Sequence, residues 1–138
     1  MSYQIQAGRG LDSARFGERR DELRRRLGEP TLFRRTQSGG LVDHFVEKGL
    51  QLSYNAADEL EFIELTPEAE VQYDGVELLG RSYGAVLADL RGRGLEGAED
   101  SQGIEFRDLG FALFVPSPEE LAEEVQGVSV FPEGYYSA

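Results

Sequence analysis

A pattern that occurs twice constrains this chain more than any other feature. "RFGERRDELRRRLGEP" carries Phe16-Gly17, five residues, then Leu23, and "SYGAVLADLRGRG" carries Tyr83-Gly84, five residues, then Leu90. Each reads as an aromatic-glycine lead-in to a short helix that ends at a glycine. Further on, Phe45-x-x-x-Gly49-Leu50-x-Leu52 is matched by Phe106-x-x-x-Gly110-Phe111-x-Leu113. Two matched pairs in the same order point to an internal repeat, and self-similarity of this kind decides architecture before any local signal does.

Each copy reads as a helix followed by an antiparallel meander. In the first, Leu23 and Leu27 share one helix face at i, i+4, and five arginines crowd the rest of it. Gly28 caps the C-terminus, with Pro30 just beyond. "LVDHFV" and "LQLSY" are strand-like runs around the "EKG" turn. "LEFIEL" alternates as a half-buried strand should, with Leu60 and Phe62 directed inward. "TLFRRTQSGG" is a loop. In the second copy Tyr83, Val86, Leu87 and Leu90 form one stripe, and "IEFRDL", "FALFV" and "GVSVF" supply strands. Between the last two, Ser117 or the residues around it are expected to cap a short helical turn in "PSPEELAEEV". The expected fold is therefore α+β, with two tandem helix-plus-antiparallel-meander repeats, about 8–66 and 74–131. They form one domain, 1–138, with a curved antiparallel sheet. A chain of 138 residues is long enough to bury one core.

Net charge is −12 and unevenly spread. Residues 1–35 hold nine arginines against five acids, a net of +4, whereas residues 36–138 carry a net of −16. The acidic excess excludes nucleic acid as a partner, because phosphates repel such a surface. The basic helix is expected to pair internally with acidic strands. No apolar run approaches the length of a membrane span, and no apolar targeting segment is expected at the N-terminus. Zero cysteines fit a reducing cytoplasm.

Catalytic chemistry is poorly supplied. Gly92-x-Gly94-x-x-Gly97 has dinucleotide spacing but follows a helix instead of opening one, so the helix's negative pole would face the phosphate. Glu96, Glu99 and Asp100 would repel it further. The single imidazole, His44, sits in a predicted strand and reads as a sheet-surface residue. With one His and no Cys, no metal site is expected. "EGAEDSQG" lacks the EF-hand order of oxygens and reads as a turn. The serines have no nucleophile-elbow context, and the carboxylate pairs read as solvated charges. No enzyme activity and no cofactor are expected.

The helix ending "LGEP", carried by Gly17, Leu23, Leu27, Gly28 and Pro30 with a second copy at Gly84, Leu87 and Leu90, resembles the repeat of the β-lactamase-inhibitor-protein-like and SmpA/OmlA (BamE-like) fold. "VSVFPEGYY", Val128 to Tyr136, resembles small bacterial proteins, some of which accompany toxins as immunity proteins. The resemblance implies a fold and a binding style and assigns no functional residue. The lipobox cysteine of the outer-membrane lipoproteins and the cysteine pairs of secreted inhibitors are absent from this sequence.

The function these observations favour is a non-enzymatic protein-binding module, an immunity or inhibitor protein in its concrete form, whose acidic sheet face meets a basic protein. Candidate partner-binding residues are Tyr54, Tyr73, Tyr135 and Tyr136 as aromatic anchors and Glu47, Glu61 and Glu64 as steering charges. Phe45, Phe62, Phe106, Phe111, Phe114 and Phe131 are expected in the core. The alternative is a small-molecule-binding or enzymatic domain with an apolar cleft between the two repeats. A homodimer, with the arginine-rich helix of one chain against the acidic strands of another, is a third arrangement.

Overall fold

Leu50, Leu52 and Tyr54 are buried, while Gln51 and Ser53 between them are half-exposed. That alternation makes a strand with one face in the core and one toward solvent, and it recurs across the molecule. The computed structural model describes residues 2–37, 40–132 and 134–135. In chain order they form β1 (Ser2–Gln6), β2 (Gly10–Leu11), α1 (Arg20–Leu27), β3 (Leu32–Arg35), β4 (Leu41–Phe45), a 3-10 turn (Val46–Lys48), β5 (Leu50–Tyr54), β6 (Leu60–Leu65), β7 (Glu70–Tyr73), β8 (Val76–Glu77), α2 (Tyr83–Gly92), β9 (Ala98–Asp100), β10 (Gly103–Phe106), β11 (Phe111–Phe114) and β12 (Gly127–Val130).

The protein is an α+β fold dominated by two sheets. Eight strands form one open antiparallel sheet in the order β3-β4-β5-β6-β12-β11-β10-β9. Each group of four consecutive strands is a meander, and the two meanders meet where β6 pairs with β12, Ile63 opposite Val130 and Leu65 opposite Val128. A four-stranded sheet, β2-β1-β7-β8, joins the segments that precede the two helices, with β1 and β7 parallel.

Register fixes the inner face. Leu52, Ile63, Val130, Phe111 and Phe106 stand opposite one another across five strands. Phe45, Leu50, Leu65, Val128, Leu113 and Ile104 form the adjacent row. Both helices and the small sheet lie on this side. Leu23 and Leu27 of α1, Val86, Leu87 and Leu90 of α2, and Tyr3, Ile5 and Val71 of the small sheet all belong to the one buried cluster.

Local chemistry explains where the elements begin and end. Gly28 is the C-cap of α1, its N–H bonded to the Arg24 carbonyl. Gly49, in the left-handed region at φ 66°, closes the turn between β4 and β5. The two aromatic-glycine lead-ins differ. Tyr83 opens α2 directly, but α1 starts only at Arg20, four residues after Phe16. Gly17 has φ +89° and donates its N–H to the Leu60 carbonyl, so the chain is turned away from helix at that point.

Several local expectations change. "TLFRRTQSGG" contributes an edge strand, β3, and "EGAEDSQG" contributes the opposite edge, β9, because each finds a hairpin neighbour. The stretch 117–124 makes turns instead of a helical turn. Its carbonyls are used elsewhere: Leu121 and Glu123 accept the N–H groups of Gly84 and Tyr83 and so finish the start of α2.

Candidate functional site

With helices and small sheet all on one side, the other side of the eight-stranded sheet carries no packed helix or sheet among the described residues. His44, Gln51, Glu64, Ser129, Ala112 and Glu105 form its central row. Beside it runs Arg34, Val42, Ser53 and Phe62. Phe62 is half-buried, and the Tyr135 ring packs on it at 5.3 Å. Tyr135 also lies 6.2 Å from Phe131. Val42 and Phe131 are buried yet fall outside the main core cluster. The outer face thus has a small apolar centre of its own. Glu61 and Glu64 flank it, Glu61 half-buried and Glu64 exposed. Burial raises the Tyr135 phenol above its ordinary pKa, and the charges of Glu61 and Glu64 add to that shift. Toward the β9 edge, Phe114 is 46% exposed and lines a shallow depression of about 190 Å³ with Gln102, Glu105, Ala112 and Ser129. Glu105 there pairs with Arg107 at 3.2 Å.

Of the predicted partner-binding residues, Glu61, Glu64 and Tyr135 come together on this face. Glu47 is exposed but belongs to the turn between β4 and β5, at the end of the sheet. Tyr54 is a correction: at 2% exposure it is a core residue, placed inward by its alternation with Leu50 and Leu52. Tyr73 packs its half-buried ring on Phe111 at 5.1 Å, also on the inner side. Tyr136 lies outside the described residues. Two phenylalanines expected in the core, Phe62 and Phe114, face outward. Phe114 obeys the alternation with Phe111 and Leu113, a signal present in "FALFV". Phe62 does not follow from pattern alone. The register shifts between Ser53 and Tyr54, so that Leu60, Ile63 and Leu65, and not Phe62, point inward.

His44 is a sheet-surface residue, as expected. Its Nε2 accepts a hydrogen bond from Arg34 Nε at 3.2 Å. Burial lowers its pKa, and the neighbouring Arg34 charge lowers it further.

Sequence reasoning did not single out the acid at the centre of a buried ion cluster. Asp43 continues the inner row beside Leu52 and is wholly buried. Arg20 donates from Nε and Nη2 to its Oδ1, both at 3.2 Å. Arg24 donates from Nε to Oδ2 at 3.1 Å and from Nη2 to Oδ1 at 3.0 Å. The guanidinium groups lie 5.2 and 5.4 Å from the centre of the Phe33 ring. Burial alone would raise the Asp43 pKa, but the bonds from Arg24 and Arg20 outweigh it and hold the carboxyl below its ordinary value. A lone acid in the "LVDHFV" run, facing a helix with arginines at i, i+4, was the available signal. This is the internal pairing that the basic helix called for.

A cleft of about 750 Å³ lies between β8 and α2, not between the two meanders. It is open and polar, lined by Gln72, Glu77, Arg81, Asp89 and Arg93 among others. Arg81 pairs with Asp89 at 2.7 Å and Arg93 with Asp74 at 3.4 Å. Among the described residues, no group of three or more His, Asp or Glu side chains is arranged to hold a metal, and no helix is long and apolar enough to cross a membrane.

No protein-family model and no curated protein matches this chain. Its fold is similar to that of a solved structure, an extracellular protein containing an SCP domain from Bacillus anthracis str. Ames, with TM-score 0.52 and 12% identity. The match covers 86% of this chain and 44% of the other, so this chain spans less than half of that protein's length. At that identity the likeness is one of fold.

Proposed function

We propose that the protein is a non-enzymatic binding module that engages a basic protein partner through the outer face of the eight-stranded sheet. One observation carries this reading: among the described residues both α-helices and the second sheet pack on the opposite side, which leaves a broad face with an aromatic centre, Phe62 and Tyr135, and flanking acids, Glu61 and Glu64. Aromatic anchors inside a charged surround are the usual anatomy of a protein interface, and the acids would raise the rate of encounter with a basic surface. An immunity or inhibitor protein is the concrete form this takes, in line with the resemblance of the helix-plus-meander unit to the β-lactamase-inhibitor-protein-like fold. The compartment we assign is the cytoplasm, where a chain without cysteine is at ease. The open polar cleft beside α2 is not the enclosed apolar pocket that a small-molecule reading calls for.

The same proposal includes the internal repeat, residues 8–66 and 74–131 as two copies of one unit. The mirrored strand order about the β6–β12 pair supports it. An experimental structure in which residues 16–65 and 83–131 fail to superpose would remove it.

The test of function compares the wild-type chain with Glu61→Lys/Glu64→Lys as baits in native lysate at low and high salt. A basic protein held by the wild type, released by salt and lost by the variant is the expected result. Identical captures by both baits would overturn the assignment of this face.

A further inference from the structure

A different surface, the β3 edge of the sheet, carries the opposite charge. Among the described residues β3 has a neighbour on one side only, β4, so its outer edge presents backbone donors and acceptors to solvent. All four of its residues are exposed. Leu32 and Phe33 are 49% and 59% exposed, an unusual display of large apolar side chains on an open edge. Arg34 and Arg35 follow them. Alternation places Leu32 and Arg34 on the outer face and Phe33 and Arg35 on the helix side. Each face of the edge therefore offers one apolar and one basic residue. On the helix side the Arg20 and Arg24 guanidinium groups sit against the Phe33 ring. This corner is the basic end of a chain whose remaining residues are strongly acidic.

We propose that β3 accepts an acidic, extended segment of another protein by strand addition, and that the segment reads acidic-acidic-apolar-apolar. The backbone edge dictates an extended partner, since only a strand satisfies its row of donors and acceptors. Antiparallel pairing, the more stable arrangement per residue, sets the order. Two acids stand opposite Arg35 and Arg34, and two apolar residues stand opposite Phe33 and Leu32. This chain contains that order once in an exposed stretch, at Glu119-Glu120-Leu121-Ala122. There, however, the Leu121 and Glu123 carbonyls are bonded to the start of α2, and the stretch is held in turns. That stretch of a second copy is thus not the segment that β3 takes.

The experiment uses the full chain and three synthetic peptides: Thr-Glu-Glu-Val-Val-Thr, the same peptide with both Glu replaced by Lys, and the reversed order Thr-Val-Val-Glu-Glu-Thr. Backbone amide exchange is followed at low salt up to millimolar peptide. The expected result is at least tenfold slower exchange within residues 32–35 with the Glu-Glu peptide and none with the Lys-Lys peptide. The preference should invert in the Arg34→Glu/Arg35→Glu variant. Absence of protection at millimolar peptide, equal protection by both charge forms, or preference for the reversed order would each overturn the proposal. Concentration-dependent protection of β3 without peptide would also overturn it, in favour of self-association.

Discussion

The two helix–sheet junctions of this protein solve one packing problem with different chemistry. Where α1 crosses the β3–β5 meander, the buried Leu23 and Leu27 are joined by a buried carboxylate gripped by two arginines, Asp43 with Arg20 and Arg24. Where α2 crosses the β9–β11 meander, Leu87 and Leu90 face Ile104 and Phe106 around a gap of about 250 Å³, and the charges have moved to the rim as the exposed Arg91–Glu99 pair at 3.2 Å. The helix starts differ in the same sense. Ser82 caps α2 by accepting the Ala85 N–H at 3.3 Å, whereas Arg19 gives α1 no side-chain cap. A buried ion pair adds little net stability over an apolar contact of similar shape, yet it is costly to break from one side. The first junction therefore depends on particular side chains and on pH, and the second on volume.

The largest expected effect breaks the first junction alone. Asp43→Leu strands two arginines that are only 17% and 23% exposed, and should cost about 3 kcal/mol in urea unfolding. Combining it with Arg20→Leu and Arg24→Met makes the first junction resemble the second and should restore wild-type stability to within about 1 kcal/mol, or exceed it. A triple variant as unstable as the single one would show that the ion cluster has no apolar equivalent here.

Acid should separate the junctions next. The folded-state pKa of Asp43 lies below its unfolded value of about 3.9. Its contribution is therefore complete above that value and is lost as pH falls through the lower, folded one. Wild type should lose stability more steeply below about pH 4 than the triple variant, measured as urea midpoints against pH. Glu18, also lowered by its bond from Arg26, is common to both proteins and leaves the difference to Asp43.

Exchanging the caps gives a smaller effect. Ser82→Ala should cost about 1 kcal/mol, and Arg19→Ser should add up to about 1 kcal/mol, because the extended backbone at Arg19 already suits a capping residue. Thermal unfolding of both variants checks the pair of signs. The smallest change concerns one tyrosine on each side. Among the described residues the buried hydroxyls of Tyr54 and Tyr83 reach no partner at hydrogen-bond geometry. Burial raises both pKa values, with Asp43 and Glu99 adding to the shift, and brings Tyr83 to about 12. Tyr54→Phe and Tyr83→Phe should each leave stability within about 1 kcal/mol of wild type or raise it. A larger loss for Tyr54→Phe would place its hydroxyl within the Asp43 cluster.

Particular residues mark how far the sequence could be read. "FALFV" shows its alternation openly, and the outward position of Phe114 was there to be seen. "LEFIEL" alternates too, but the register shift opposite Ser53 and Tyr54 turns Phe62 outward, and a shift of register belongs to the pairing of two strands, not to either one. For the candidate site, Glu61 and Glu64 were legible as acids on a half-exposed strand. Their meeting with Tyr135 was not, because it depends on where the chain goes after β12. Asp43 looked like any strand acid until α1 was laid across it.

The sequence by itself determined the α+β class, the glycine-closed helix ends, the hairpin at Gly49, the meander strands and the separation of charge. Each of these is written in neighbouring residues, through backbone preference and apolar period. Only the tertiary structure decided that β1, β7 and β8 exist and that "TLFRR" and "GAED" form the two sheet edges. It alone decided which acid is buried and which aromatics face out. Strands of two to five residues carry too little periodicity to declare themselves, and burial is a property of the surface that closes over a residue.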